Sequence, residues 1–223
     1  MVKNDIVIIG GSSEIAIEFQ KICLNKKLKF IVFTRNIDSI NNKNIKIFNY
    51  LNDSDEIIKN IKTLSNVIII FFNGALYENR PKKYPSKIEK KNTKLINYEI
   101  PINLTKKINN DLQNIDKFVY ISSMAAVKFR NKNYIYGRYK KQLENDIKNL
   151  DLPSYLIIRF GKVFTKMSDG HKTPPFTLTA TEAANSLFSK LNKTGIKYGN
   201  IGLFVISIVI KFTPKKIIDF LKI

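Results

Sequence analysis

A second cysteine is missing from the 223 residues, which excludes an intrachain disulfide framework and leaves Cys23 alone, as in chains that fold in a reducing compartment. A single histidine, His171, supplies no His/Cys ligand set, so no metal is expected. No apolar run reaches the roughly 18–20 residues that span a bilayer. No signal pattern precedes the strand that the chain enters at Asp5, so a cytoplasmic location is expected. Zinc-finger spacing, RNP-like motifs, internal repeats and low-complexity linkers are also absent. Acidic residues are scarce: 18 Asp and Glu face 38 Lys and Arg, for a formal charge of +20. Such a balance attracts nucleic acid, anionic lipid and phosphorylated ligands alike. The lysines, however, are interspersed with Asn and Ile along the whole length. A solvated basic surface is therefore expected, with no nucleic-acid partner. The 44% hydrophobic and 25% charged content is that of an ordinary globular chain, long enough for one domain with a real core.

The chemistry concentrates between Ile121 and Lys140. The apolar run Phe118–Ile121 predicts a buried parallel strand that delivers Ser122 and Ser123 at its carboxyl end, where open α/β sheets place their chemistry. Thirteen residues after Ser123 comes Tyr136, and four later Lys140. On a helix that i,i+4 spacing stacks phenol and ammonium on one face. A phenol titrates near pH 10, and a cation within about 4–6 Å lowers that value. With a serine hydroxyl to hold a carbonyl or alcohol oxygen, the set suits proton transfer on oxygen and lacks only a hydride carrier.

The rest of the chain supplies that carrier's expected seat. A first strand over 6–9 runs into Gly10-Gly11-Ser12-Ser13-Glu14-Ile15-Ala16 and a helix to about Leu24. Strand, small-residue turn and helix are what a dinucleotide pyrophosphate needs. Lys29–Thr34 predicts the second strand. Arg35 beyond it suits a 2′-phosphate where an acidic residue would suit a 2′-hydroxyl, which favours NADP(H) over NAD(H). A strand over Ile45–Tyr50 and a helix over Asp55–Leu64 precede Val67–Phe72, a central strand ending in the polar turn Asn73-Gly74-Ala75. Residues 77–91 read as a basic, proline-bearing loop with some helix. A helix over about 93–110 carries Asn97, with Pro101 expected to kink it or lift its start. A helix from Tyr136 to about Leu150, a strand over Tyr155–Phe160 and a loop over 166–177 follow. Thr179-Ala180-Thr181-Glu182 is a capping box that opens a helix to about Asn192, which Gly195 is expected to stop. Tyr198–Ile201 is a candidate last strand. The tail 203–223 is apolar, then basic. It suits a membrane-surface contact, a pocket cover or a dimer contact, and is set apart from a 1–202 cofactor-binding and catalytic domain.

Alternating strands and helices predict a single α/β domain, a Rossmann-type doubly wound parallel sheet in three layers. With these motifs in this order, residues 5–200 resemble the short-chain dehydrogenases/reductases. Of that family's T-G-x-x-x-G-x-G motif the span Ile9–Ala16 keeps Gly10, while Glu14 and Ala16 stand for the other two glycines. The family's N-A-G turn reads Asn73-Gly74-Ala75, and its P-G-x-V-x-T reads Phe160-Gly161-Lys162-Val163-Phe164-Thr165. The resemblance implies NAD(P) and an active-site quartet of Asn97, Ser123, Tyr136 and Lys140. Tyr136 would be general acid/base, and Lys140 would lower its pKa and hold the nicotinamide ribose. Ser123 would orient the substrate oxygen, and Asn97 would hold a water of a proton relay. Cofactor contacts are expected at Gly10, Ser12, Ser13, Glu14, Ile15, Arg35, Asn36, Leu51, Asn73, Gly74, Ala75, Tyr136, Lys140, Gly161, Val163 and Thr165. Tyr136-Gly137-Arg138-Tyr139-Lys140 and Arg159 are similar to the sugar-nucleotide subgroup. The glycine variant and the tail resemble polysaccharide-pathway reductases acting in polyprenyl-phosphate ribose epimerisation. A nucleotide- or lipid-linked sugar substrate, with epimerase or dehydratase action or a non-catalytic NADP sensor as alternatives, is the expectation. So is a homodimer or homotetramer, with peripheral contact to the inner, anionic face of a membrane.

Overall fold

Short runs of Ile, Val and Phe, too brief for helices and buried on both faces, dictate a sheet wrapped by helices. A computed structural model describes residues 4–34, 45–47, 54–76, 85–127, 134–170 and 173–214. Its elements in chain order are β1 (Asp5–Ile9), α1 (Glu14–Asn25), β2 (Phe30–Thr34), β3 (Ile45–Ile47), α2 (Ser54–Lys62) and β4 (Val67–Phe71). Then come α3 (Lys87–Lys94), a π-helical turn (Leu95–Glu99), α4 (Ile100–Asp111), β5 (Ile115–Ser123), a 3-10 turn (Met124–Ala126) and α5 (Ile135–Asn149). β6 (Tyr155–Phe160), β7 (Val163–Phe164), a second 3-10 turn (Lys166–Ser168), β8 (Leu178–Thr179), α6 (Ala180–Lys190), β9 (Gly195–Tyr198) and α7 (Ile201–Phe212) complete it.

The main sheet has the order β3-β2-β1-β4-β5-β6-β9 and is parallel throughout. Alternation along β1, β2, β4, β5 and β6 feeds two cores. Val7 and Ile9 face Ile57 and Ile61 of α2, Ile108 of α4 and Ile147 of α5, whereas Ile6 and Ile8 face Phe19 of α1 and Leu187 of α6. The order reverses between β1 and β4, the switch point at which open α/β sheets leave a crevice at their carboxyl ends.

Four local expectations change. Pro101 does not interrupt the helical run, which begins earlier than expected: α3, the π-turn and α4 follow one another without a break from Lys87 to Asp111. Pro101 has no N–H to offer the Asn97 carbonyl, and it sits in the first turn of α4. The widened turn instead runs from the Ile100 N–H to the Leu95 carbonyl. Gly195 does not stop α6, which ends at Lys190. With φ +72 it turns the chain into β9, a conformation that favours glycine. The last strand is therefore Gly195–Tyr198 and not Tyr198–Ile201. Asn200, whose side chain accepts from the Leu203 N–H at 2.9 Å, instead opens α7, so the start of the expected tail lies within a helix.

Candidate active site

At the first turn, Gly10 adopts φ +85, and a Cβ there would meet the Asn73 backbone nitrogen at 3.1 Å, so β1 and β4 deliver their turns into contact only because residue 10 lacks a side chain. Ser13 caps α1, its hydroxyl accepting from the Ala16 N–H at 3.2 Å, while Ser12 is exposed and Ile15 half-buried. Glu14 reaches across the crevice: its Oε2 accepts from the Lys166 N–H at 2.9 Å. That contact joins the glycine turn to the segment after β7. It gives the carboxylate at the family's second glycine position a partner on the far side.

Asn73, Gly74 and Ala75 follow β4. Asn97, fully buried, donates from Nδ2 to the Ala75 carbonyl at 2.8 Å and accepts at Oδ1 from the Ala75 N–H at 3.3 Å. The side-chain amide thus pairs with a backbone as a neighbouring strand would, and holds the turn in place. Its Nδ2 also donates to the Thr93 carbonyl at 2.9 Å.

Tyr136 and Lys140 lie on the buried face of α5. The Lys140 Nζ donates to the carbonyls of Asn73 and Ile121, each at 2.9 Å, and stands 5.9 Å from the centre of the Tyr136 ring. Burial pushes this ammonium down to about 8, against an opposing pull from Glu144 one turn further on. Ser123 ends β5, its hydroxyl accepting from the Ala125 N–H at 3.2 Å. The start of α5 packs on that same turn, since a Cβ at Gly137 would lie 2.6 Å from the Ala125 carbonyl oxygen. Tyr136, Lys140, Ser123 and the Asn73 turn thus share the carboxyl end of the sheet. Gly161 and Val163 follow β6, with Val163 buried and Thr165 half-buried at the head of the second 3-10 turn. Arg35, Asn36 and Leu51 lie outside the described residues.

Sequence reasoning missed one buried cluster. Glu144 Oε1 accepts from the Ser122 hydroxyl at 2.7 Å and from Arg159 Nε at 2.9 Å, Arg159 Nη2 donates to Glu144 Oε2 at 2.5 Å, and Arg159 Nη1 donates to the Tyr198 hydroxyl at 3.1 Å. It ties α5, β5, β6 and β9 together directly behind Ser123. A signal was available: Glu144 interrupts the buried stripe Tyr136, Lys140, Leu143, Ile147 at helical spacing.

The crevice fits a dinucleotide on one observation: the buried Asn73 Oδ1, beside the close approach of Gly10 to the Asn73 backbone, has no hydrogen-bond partner among the described residues.

Strand order and crevice define a Rossmann-type α/β protein. No protein-family model and no curated protein matches the chain. Solved structures of similar fold are consistently short-chain dehydrogenases/reductases. One from Burkholderia cenocepacia, in complex with NADP, superposes with a TM-score of 0.76 at 12% identity over 95% of this chain and 98% of its own. The carbonyl reductase Sniffer of D. melanogaster gives 0.68 at 18% over 88% and 96%. The UDP-glucose 4-epimerase of Thermus thermophilus, in complex with NAD, gives 0.64 at 14% over 89% and 78%. At such identities the likeness is one of fold.

Proposed function

We propose that the chain is an NADP-preferring oxidoreductase of the short-chain dehydrogenase/reductase type, interconverting a carbonyl and an alcohol. The observation that carries this reading is the buried Lys140 ammonium, held by two neutral carbonyls beside the Tyr136 ring. NADP(H), when bound, supplies or accepts the hydride. Tyr136 gives the proton to the substrate oxygen, or takes it back. Lys140 stabilises the phenolate left behind and presents its ammonium to the nicotinamide ribose. Ser123 donates a hydrogen bond to the substrate oxygen. Asn97 holds the Asn73-Gly74-Ala75 turn and, through the π-turn, a water of the relay. Gly10, Ser12, Ser13, Glu14 and Ile15 would line the pyrophosphate side, with Arg35 at the 2′-phosphate and Asn36 and Leu51 as further cofactor contacts. Gly161, Val163 and Thr165 would line the nicotinamide side. NADP in the Burkholderia structure supports the cofactor assignment, with NAD(H) as the alternative.

The proposed substrate is a nucleotide- or lipid-linked sugar in polysaccharide biosynthesis, acted on by a homodimer or homotetramer in the cytoplasm. A lipid-linked substrate would bring the chain to an anionic membrane surface, for which 203–223 has the composition. The division into residues 1–202 and 203–223 belongs to the same reading. The fold likeness to a UDP-glucose 4-epimerase favours a second reading, in which the hydride returns to the same sugar and the cofactor stays bound. Native mass spectrometry separates the two: retained cofactor with no net NADPH consumption during turnover selects the epimerase.

Tyr136→Phe tests the chemistry. Turnover should fall roughly 100- to 10,000-fold, with NADPH binding, read by fluorescence, unchanged. A variant that keeps its cellular function would leave only a cofactor-binding sensor.

A further inference from the structure

We propose that α7 docks the protein on an anionic lipid surface, laying Ile201, Phe204, Val205, Ile208, Val209 and Phe212 into its interfacial layer. These side chains recur every three or four residues and form one stripe along the helix. All are exposed, from 42% at Ile208 to 77% at Ile201 and Phe212. The opposite face is seated on the protein. Leu203 and Ser207 are buried, and Leu203 fills the space a Cβ at Gly161 would need, with 2.9 Å between them. The helix is thus fixed in orientation with its apolar side outward. No helix among the described residues is long and apolar enough to cross a membrane, so the stripe suits lying in an interface.

Charge selects the occupant. Residues 201–214 contain no Asp or Glu, and Lys211 is exposed beside the stripe. Lys141 of α5 lies close enough to Lys211 to feel its charge, and Lys148 in turn acts on Lys141. The Lys141 ammonium is pushed below its usual value, first by burial and then by repulsion from Arg159, Lys148 and Lys211, against a pull from Glu144. The α5 carboxylates are engaged elsewhere, Glu144 with Arg159 and Ser122, and Asp146 as acceptor from the Tyr98 hydroxyl at 2.7 Å. An apolar stripe with a cationic rim is the pair of signals that stable attachment to an anionic bilayer needs. A second copy docking α7 on α7 about a two-fold axis would bring like rims together with no acid in 201–214 to meet them.

The docked surface would lie beside the crevice. α7 rests on Gly161, next to Phe160, which is in register with Ser123 across β5 and β6. A substrate anchored in the bilayer would meet the site without leaving its lipid. Docking itself does not rest on the proposed reaction: vesicle binding is read without turnover, and turnover on a soluble carbonyl is read without vesicles.

The test is co-sedimentation of the full chain with vesicles of phosphatidylcholine alone or mixed equally with phosphatidylglycerol. The wild type should pellet with the mixed vesicles and not with the neutral ones, and release should rise with salt. Val205→Glu/Val209→Glu, at positions exposed by 53% and 58%, should keep the melting temperature. It should lose binding to mixed vesicles by at least about tenfold. Lys211→Glu should weaken the preference for the anionic lipid. Unchanged vesicle binding by the valine double variant would overturn the proposal. So would a change of that variant from oligomer to monomer with vesicle binding intact, which would assign the stripe to a second copy.

Discussion

Two cations are buried within a few residues of the candidate site, and the protein treats them differently. Arg159 on β6 receives a carboxylate, with Glu144 accepting from both Nε and Nη2. Among the described residues, Lys140 on α5 receives only the carbonyls of Asn73 and Ile121, with Glu144 one turn away. A guanidinium stays charged in any protein environment, so burying it demands an anion. An ammonium yields its proton when desolvated, and burial brings Lys140 down to about 8. The arginine is thus a fixed tie between α5, β6 and β9, and the lysine a charge that is held close to release. One carboxylate serves both, binding the first directly and biasing the second through space.

The comparison breaks most severely at Glu144. Glu144→Gln leaves Arg159 buried without its anion and should cost roughly 3–5 kcal/mol of stability in urea unfolding. Pairing it with Arg159→Met should recover a large part of that loss. Next comes Lys140→Met, read as a function of pH. The folded-state value near 8 lies below the ordinary lysine value of 10.5. Between those values the unfolded chain holds more protons, so wild-type stability should rise with pH by about 3 kcal/mol, an order-of-magnitude figure. The methionine variant should lack that rise, and a rise of equal size in both would remove Lys140 as its source. Smallest is Ser122→Ala, which takes one donor from Glu144 while leaving Arg159 in place. About 1–2 kcal/mol is expected in the same unfolding experiment. A loss as large as that at Glu144 would mean that the serine, and not the arginine, anchors the carboxylate.

Most strands were legible because a parallel sheet buried on both faces writes itself as continuous Ile, Val and Phe, as in Val67–Phe71. Capping was legible too: the Thr179 hydroxyl and the Glu182 carboxylate each take the other residue's N–H. The misreadings came from residues whose local meaning depends on what surrounds them. Pro101 signals a break only where the chain cannot rearrange around its missing N–H, and here a π-turn directly precedes it in one continuous helical run. Gly195 signals a helix end only if the helix reaches it. Glu14, which stands where the family has a glycine, takes its partner from the Lys166 N–H, 152 positions away and beyond any local window.

What the sequence determined alone is local in origin. Hydrophobic period set the order of strands and helices, and the four-residue spacing of Tyr136 and Lys140 set their common face, because backbone geometry fixes which neighbours align. Tertiary structure decided everything that joins distant segments: the sheet order, the close approach of Gly10 to Asn73, the Glu144–Arg159 pair and the outward face of α7. Those depend on which surfaces leave water together, and no short window of residues contains both partners.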